Sequence, residues 1–389
     1  MTLDPLDPLD LDGELSDGER AVRDRVRAWV DERVRPGIAD LYARAHWPRE
    51  IAPELGELGV LGMHIHGYGC PGASNVEYGL ACLELEAADS GLRTFVSVQG
   101  SLAMTAIHAW GSEEHKLQWL PRMARGEAVG CFALTEPDTG SDPASMATVA
   151  RRDGGDWVLD GRKRWIGMGS IADVAVVWAK AADDGRVRGF LVPAGTPGFT
   201  AVDIEDKLSL RASLQSELTL DGVRLPEAAR LPGAEGLRGP FTSLNEARYG
   251  ISWGVMGAAR DCYACALDYA RRREVFGRPL AGFQLTQAKL ADMALELVKG
   301  TLLALRLGRL KDEGRLENEQ ISFGKLNNVR EALEIARAAR TILGGEGIRG
   351  AYPVMRHMAN LESVMTYEGT SEIHALIIGH ALTGERAFA

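Results

Sequence analysis

The sequence predicts an α+β fold in three consecutive segments: helical from 1 to 130, β from 131 to 237, and helical again from 238 to 389. Three observations carry this prediction. Apolar residues recur at helical spacing in the first third, and β-branched runs separated by Asp-Gly turn pairs fill the middle. Three amphipathic patterns too long for anything but helices follow. At 389 residues the chain is long enough for two or three cores.

In the first segment, Ser16 with Glu19 forms a capping-box pattern, and Val22, Val26, Trp29, Val30 and Val34 follow at helical spacing until Pro36. The runs EYGLACLELEAADSG and GSEEHKLQWLPRMARGE predict two more helices, the second with Ser112 as its N-cap. Ahead of them, MTLDPLDPLDLDGELSDGER is acidic and repeats Leu-Asp-Pro, so about the first dozen residues are expected to lack fixed structure. That leader has neither the basic start and apolar stretch of a secretory signal nor the arginines of a transit peptide, which predicts a cytoplasmic protein.

From about Val149 to Leu225, the pairs in DGGD, LDGRK, ADDGR and LDGV read as hairpin turns of an antiparallel β-barrel or sandwich. LPGAEGLRGP, 231–240, reads as a linker. Helices are predicted at about 243–274, 284–313 and 317–343, ending near Gly277, Gly314 and Gly344-Gly345. A last helix starts near Ser371, and together these make an antiparallel helical bundle.

Composition excludes several function classes. A net charge of -10 argues against nucleic acid, whose phosphates need clustered cations. No apolar run is long enough to span a bilayer, so no membrane partner is expected. Five cysteines, an odd number, fit a reducing compartment, and the C-x-x-C of Cys262 and Cys265 lies inside a helical pattern. His64 and His66 lack a third ligand, so no metal is expected. No strand leads into a glycine-rich helix start, which excludes a nicotinamide fingerprint.

Several stretches carry potential chemistry. CFALTEPDTGSD, 131–142, packs Thr135, Thr139, Ser141 and backbone amides into a Pro/Gly-rich loop, suited to a heteroaromatic edge or a pyrophosphate, or simply a polar turn. Trp165 in RKRWIGMGS is a core anchor or a stacking ring. Asn245 and Arg248 share a helical face, and Arg273, Phe276 and Gln284 surround a helix break. In MTYEGTSEIH, Glu368 stands beside Gly369 on a bend, either a solvated charge or a base aimed into a cavity.

Taken in order, LTEPDTGSD, RREVFGRPLAGFQLTQ, LGGEGI and TYEGTSEIHALIIG resemble the signatures of the acyl-CoA dehydrogenase family over nearly the whole chain. Within it, DSGLRTFVSVQGSL and NEARYGISWG are most similar to the glutaryl-CoA dehydrogenase branch. The resemblance implies an N-terminal helical domain, a middle antiparallel β domain and a C-terminal four-helix bundle, with FAD bound and the chains assembled as tetramers. It implies that Phe132, Ala133, Leu134, Thr135, Gly140 and Ser141 line the flavin, Ser141 also touching the CoA thioester arm, with Trp165, Ile166 and Gly167 flanking the ring. Arg273, Phe276, Gln284, Thr341, Leu343, Gly344 and Gly345 would reach FAD across a subunit interface, and Thr370 and Phe388 complete the expected contacts. Asn245 and Arg248 would hold the pantetheine and CoA.

By the same resemblance Glu368 is the base, its own N–H and a ribityl hydroxyl stabilising the thioester oxygen, and Gly369 lets the backbone approach the acyl chain. Arg93 would pair with the distal carboxylate of a dicarboxylic acyl group, oriented by Glu86 on the same helical pattern, with Thr94 and Tyr367 as further donors. The bland alternative is an internal Glu86–Arg93 pair. The implied reaction is oxidation of glutaryl-CoA with decarboxylation to crotonyl-CoA, electrons passing to an electron-transfer flavoprotein. One position departs from the family: Gly167 stands where a threonine is usual, which is expected to open space beside the flavin and makes an acyl-CoA oxidase an alternative. Another short-chain or dicarboxylic acyl-CoA, or a flavin- or acyl-CoA-binding scaffold without turnover, are the remaining alternatives.

Overall fold

The computed structural model describes residues 3–385; Phe388 lies outside them. The N-terminal part is helical: α1 (Asp17–Trp29), α2 (Ile38–Ala43), α3 (Ile51–Leu58), α4 (Asn75–Ala88), α5 (Ser90–Val96), α6 (Thr105–Trp110) and α7 (Glu113–Ala124). The capping boxes at Ser16 and Ser112 are present, the first with Glu19 N to Ser16 Oγ at 3.3 Å and Ser16 N to Glu19 Oε2 at 2.8 Å. The acidic leader, expected without fixed structure, turns on itself instead. Asp7 accepts from Leu11 N at 2.8 Å and Asp12 N at 3.0 Å, and Asp12 pairs with Arg23.

α4 and α5 are separated by a corner at Asp89, whose backbone is extended (φ -165, ψ 140). Its carboxylate caps α5 through Gly91 N at 2.7 Å and accepts from Arg356 and Asn360 at 3.0 Å each. Glu86 and Arg93 therefore do not share one continuous helix, as their spacing suggests; they meet across this corner. Beyond α5 the chain widens into π-helical turns over Ser97–Met104, all buried.

The middle part is a seven-stranded sheet: β1 (Gly130–Ala133), β2 (Val149–Asp153), β3 (Asp156–Gly167), β4 (Val174–Ala181), β5 (Val187–Pro193), β6 (Phe199–Asp203) and β7 (Gln215–Pro226). Pairing is mainly antiparallel, with two parallel exceptions: β1 and β2 both run parallel to β4. DGGD makes the expected β2–β3 hairpin. LDGRK and LDGV are not turns; they lie inside the long strands β3 and β7, where the register slips between Leu159 and Gly161. Gly161 there closes on Thr148 and Gly222 adopts φ +61, so the glycines serve a bulge instead of a reversal.

The C-terminal part holds α8 (Arg238–Arg272), the short β8–β9 hairpin (Glu274–Val275, Arg278–Pro279), α9 (Gln284–Asp312), α10 (Asn318–Leu343), α11 (Val354–Thr366) and α12 (Ser371–Thr383). α8 begins inside the expected linker, and α11 is an addition to the predicted set. One apolar core runs through both helical parts, from Val26 and Leu85 to Met256, Leu333 and Val364. Three glycines let α8 lie close against α4: a Cβ at Gly250 would meet Tyr78 Oη at 2.8 Å, at Gly254 Glu86 Oε2 at 2.1 Å, and at Gly257 the Leu83 carbonyl at 1.8 Å. The cysteines are free, Cys262 and Cys265 included. No helix among the described residues is long and apolar enough to cross a membrane.

Candidate active site

Glu368 sits where α11 ends, in the four-residue bend before α12. Its own φ is +55 and that of Gly369 is +99. A left-handed glutamate costs roughly 1–2 kcal/mol, so something must hold it. Three side-chain hydrogen bonds do. Arg248 Nε on α8 donates to the Glu368 carbonyl at 2.8 Å, and Lys325 Nζ on α10 donates to the carbonyls of Tyr367 at 2.7 Å and Gly369 at 2.6 Å. Charge-assisted bonds contribute about 1.5–3 kcal/mol each, enough to fix the bend. Gly369 is required: a Cβ there would meet His374 Nε2 at 2.9 Å and Arg248 Nη2 at 3.5 Å.

The side chain of Glu368 is aimed inward, and its buried Oε2 has no partner. Burial pushes its carboxyl above the usual range, against the pull of Arg93, Lys325 and Arg248. Burial also lowers Lys325 to about 7, against the attraction of Glu368. Next to the bend, His374 donates to or accepts from Ser322 Oγ at 2.9 Å, and burial drops it to about 3, keeping the ring neutral.

Arg93 closes the far side. It is fully buried, bonded through Nε to Glu86 Oε2 at 2.7 Å and through Nη2 to the Tyr367 hydroxyl. Burial opposes its charge, but Glu86 and Tyr367 outweigh it and hold the guanidinium well above its ordinary value. Burial raises the Tyr367 phenol to about 12, against the pull of Arg93. The internal Glu86–Arg93 pair is therefore real, yet it does not satisfy the fork: Arg93 Nη1 and Glu86 Oε1 are both buried without partners. The hydroxyls of Thr94 and Ser97, on the same stretch of chain, are also buried and unpartnered. A guanidinium arm and two hydroxyls on one buried stretch of chain, beside the equally open Glu86 Oε1, are left with hydrogen-bonding capacity to spare. Ser97 escaped the sequence reading, although its place four residues after Arg93 put it on the same helical face.

One turn beyond Arg93, Val98 ties this centre to the sheet. A Cβ on Gly167, at the end of β3, would meet Val98 Cγ2 at 3.0 Å. Gly167 therefore does not open a void; Val98 occupies the room a larger residue would claim. The π-helical turns are also pinned to β1, since Gly130 N donates to Gln99 Oε1 at 2.8 Å.

The loop after β1 is braced by a buried ion pair the sequence reading missed. Lys163 Nζ donates to Leu134 O and Glu136 Oε1, both at 2.9 Å, and Glu136 accepts from Ala147 N and Thr148 N at 2.6 and 2.9 Å. Burial lowers Lys163 to about 8, against the attraction of Glu136. Phe132, Ala133 and Leu134 turn their side chains into apolar cores and leave little for a ligand. Ile166 is buried likewise, and Leu343 belongs to the shared helical core, so its side chain is not free to touch a cofactor.

Several residues expected at a flavin have the chemistry to hold one. Thr139 Oγ1 is buried and unpartnered beside the braced loop, and Gly140 and Ser141 are exposed with open space at Gly140. Trp165, at φ +63, leaves its indole 52% exposed at the end of β3, a large flat face with Arg164 lying over it. Arg273, Gln284, Thr341, Gly344 and Gly345 are all exposed in the single chain, and Phe276 is 98% exposed. Thr370 caps α12 through Ile373 N at 3.4 Å. Asn245 accepts from Arg248 Nη1 at 3.3 Å, and Arg248 in turn donates through Nε to the Glu368 carbonyl. Among the described residues no cluster of three or more His, Cys, Asp or Glu is built to hold a metal, and His64 bonds Thr105 Oγ1 at 2.8 Å.

Comparison with known proteins agrees over the full length. The N-terminal, middle and C-terminal domain models of acyl-CoA dehydrogenases match residues 16–127, 131–223 and 234–383. The mitochondrial short-chain specific acyl-CoA dehydrogenase of Bos taurus is 35% identical over 381 residues, 96% of this chain and 92% of that protein. The crystal structure of a glutaryl-CoA dehydrogenase from Mycobacterium smegmatis is similar with a TM-score of 0.97 at 64% identity, covering 99% of each chain. A glutaryl-CoA dehydrogenase from Mycobacterium smegmatis in complex with FADH2 gives 0.98 at 59% identity, covering 100% of each.

Proposed function

The chain belongs to the acyl-CoA dehydrogenase family, and from that premise we propose that it oxidises the Cα–Cβ bond of glutaryl-CoA with Glu368 as the base. The observation that carries the substrate choice is the unsatisfied arm of the buried Arg93. A plain acyl chain would leave that arm buried and unpaired, whereas a distal carboxylate could accept from it and from Ser97 or Thr94. The likeness to two glutaryl-CoA dehydrogenases supports the same choice.

FAD would be held by the Thr135–Ser141 loop, Trp165 and Gly167, with Arg273, Phe276, Gln284 and the Thr341–Gly345 stretch supplied from a neighbouring copy. When bound, FAD accepts the hydride lost from the β-carbon. Glu368 removes the α-proton, so the two C–H bonds are replaced by a Cα–Cβ double bond. Its raised carboxyl suits a base that must take a weakly acidic proton without water present. The Glu368 N–H polarises the thioester oxygen, Arg248 and Lys325 hold the bend, and Arg93 sets the register of the chain. Decarboxylation follows on this reading: the bond to the distal carboxylate breaks, its electron pair passes into the conjugated thioester, and the proton on Glu368 returns to carbon, giving crotonyl-CoA and carbon dioxide. We assign the electrons to an electron-transfer flavoprotein, the assembly to a tetramer and the location to the cytoplasm.

The test is anaerobic mixing of the purified yellow protein with glutaryl-CoA, following flavin bleaching and carbon dioxide. The parent should bleach and release carbon dioxide. Glu368→Gln should keep flavin and ligand but reduce on the order of 10²–10⁴-fold more slowly. Bleaching at comparable rates would remove Glu368 from the chemistry, and bleaching without carbon dioxide would leave simple desaturation.

A further inference from the structure

We propose that Lys325 is a positioning residue for the base: from α10 its buried ammonium clamps the two peptides that flank Glu368, and its charge steadies the carboxylate's anion. This rests on the reading of Glu368 as the base. Lys325 is 2% exposed, and a lysine is almost never buried to that degree without partners. Its partners are the carbonyls of Tyr367 at 2.7 Å and Gly369 at 2.6 Å, one on each side of residue 368. Nothing in the helix itself requires this. α10 is already held by an apolar face of Ile321, Val329, Leu333 and Ala336, and by Asn328, which donates to Ser252 O and Gly300 O at 2.8 and 2.9 Å.

The clamp and the strain coincide. Glu368 is the one residue of the bend that is left-handed without being glycine, and both donors reach around it. Arg248 holds the third carbonyl, that of Glu368 itself, so the three successive carbonyls from 367 to 369 each accept from a cation. The two cations are not equivalent. Arg248 comes from α8, next to Asn245, while Lys325 comes from the helix behind the bend and lies 6.0 Å from the centre of the Tyr367 ring. The charged and titratable groups facing Lys325 are Glu368, Arg248, Arg93, Tyr367 and His374, the last two held neutral by burial. Only Glu368 is anionic. Removing the ammonium therefore frees the bend and deletes one of three cations that favour the ionised base.

Two effects follow, and a purely structural lysine would produce neither. In Lys325→Met the rate of flavin reduction at saturating glutaryl-CoA should fall about 10- to 100-fold, the scale of an ångström-sized misplacement. The acid limb of that rate against pH should move to higher pH, because the carboxyl is harder to ionise without the cation. Dissociation constants for a redox-inert acyl-CoA thioether should change by no more than about 3-fold, since Lys325 is placed against backbone and not against the acyl chain. Lys325→Gln, which keeps a donor without the charge, should recover part of the rate and none of the limb. It also serves if the methionine variant fails to fold. An unchanged rate and limb in either folded variant would overturn the proposal. So would a loss that tracks thermal stability and ligand affinity with the limb in place. Glu368→Gln measured alongside separates the two readings: fast reduction there refutes the base itself, whereas a dead Glu368→Gln beside an unaffected Lys325→Met refutes only the clamp.

Discussion

Gly254 should control substrate choice without touching substrate. It lies on α8 at its crossing with α4, and a Cβ there would come within 2.1 Å of Glu86 Oε2 and 3.2 Å of Arg93 Nε. In Gly254→Ala the helix gains about 1 kcal/mol of propensity. Against this, the carboxylate must retreat by about 1 Å to restore an ordinary contact, and overpacking of that kind costs roughly 1–3 kcal/mol. The Glu86–Arg93 bond at 2.7 Å is stretched by the same movement. Outright rupture of a buried pair costs about 3–5 kcal/mol, so partial loss brings the net destabilisation to roughly 2–4 kcal/mol. Arg93 follows its partner, and a 1 Å misplacement is worth up to about 100-fold in turnover. Denaturant unfolding and kcat/KM for glutaryl-CoA and butyryl-CoA together read out both effects. Stability should fall, and the preference for glutaryl-CoA should collapse more than butyryl-CoA turnover does. Gly18→Ala is the control: its Cβ meets only Glu77 Oε1 at 3.6 Å in an exposed first turn, so stability should hold or rise slightly. A Gly254→Ala protein with parental stability and parental preference would refute the coupling of this crossing to the Arg93 fork.

Arg93→Met should weaken glutaryl-CoA turnover on the order of 10²-fold or more and butyryl-CoA turnover much less, because only the former carries an anion to pair, whereas loss of the buried Glu86 partner and of the cation near Glu368 acts on both; equal losses would remove the dicarboxylate reading. Gly167→Thr should destabilise by about 1–3 kcal/mol through Val98, 3.0 Å from the new Cβ, and Val98→Ala in the same chain should recover most of it; a thermal-melt double-mutant cycle showing additivity would contradict the packing. Glu84, 1% exposed and held by Arg27 at 2.8 Å and Arg260 at 2.6 Å, is lowered to about 2, burial opposing and Arg260 and Arg27 prevailing. A carboxyl depressed in the folded state adds stability above its ordinary value of 4.5 and loses it as pH falls toward about 2. That contribution is at most roughly 3 kcal/mol, so the parent should lose it in acid unfolding across this window, whereas Glu84→Gln should already lack it at neutral pH and show a flatter curve.

The parts of this fold legible in the sequence are those decided locally. The caps at Ser16 and Ser112 need only four residues each to declare themselves, and the period of α8, α9 and α10 is set by their own apolar faces. Glycines misled where their purpose was tertiary. In LDGRK and LDGV the Asp-Gly pairs mark bulges in β3 and β7, a use that shows only once the strands are paired. Gly254 belongs to a G-x-x-x-G-x-x-G run that signals close helix contact, but nothing local says that the contact is with Glu86. Glu368 was visible as a candidate because a carboxylate beside Gly369 on a bend is unusual, and the family resemblance, not the spacing, favoured a base over a solvated charge. Its supports were not. Lys325 in ISFGKLNN reads as an exposed helix lysine, and Lys163 in RKRW as a flanking charge, until the chain folds Lys163 onto a carbonyl 29 residues away and Lys325 onto carbonyls 42 and 44 residues away. Leu343 erred in the opposite direction: its neighbours Gly344 and Gly345 are exposed, but its own side chain ends the apolar face of α10.

The charges gathered at the site explain why one ligand can set both specificity and reactivity. Arg93, Arg248 and Lys325 face Glu86 and Glu368, so with every group ionised the pocket holds one cation in excess, and neutral His374 does not change the count. Unpaired positive charge in a desolvated region is costly, and it is localised by the open Nη1 of Arg93. A distal carboxylate cancels it; a methyl end does not. The same pairing acts on the base. After burial, Arg93 is the largest influence on Glu368, and it pulls the carboxyl down. An acyl chain whose far end neutralises Arg93 weakens that pull while its body displaces water from the carboxylate. Both changes raise the affinity of Glu368 for a proton. On the proposed reading, the arginine that would select the dicarboxylic chain would also restrain the base until that chain is in place, and a chain lacking the anion would leave the pull of Arg93 in force.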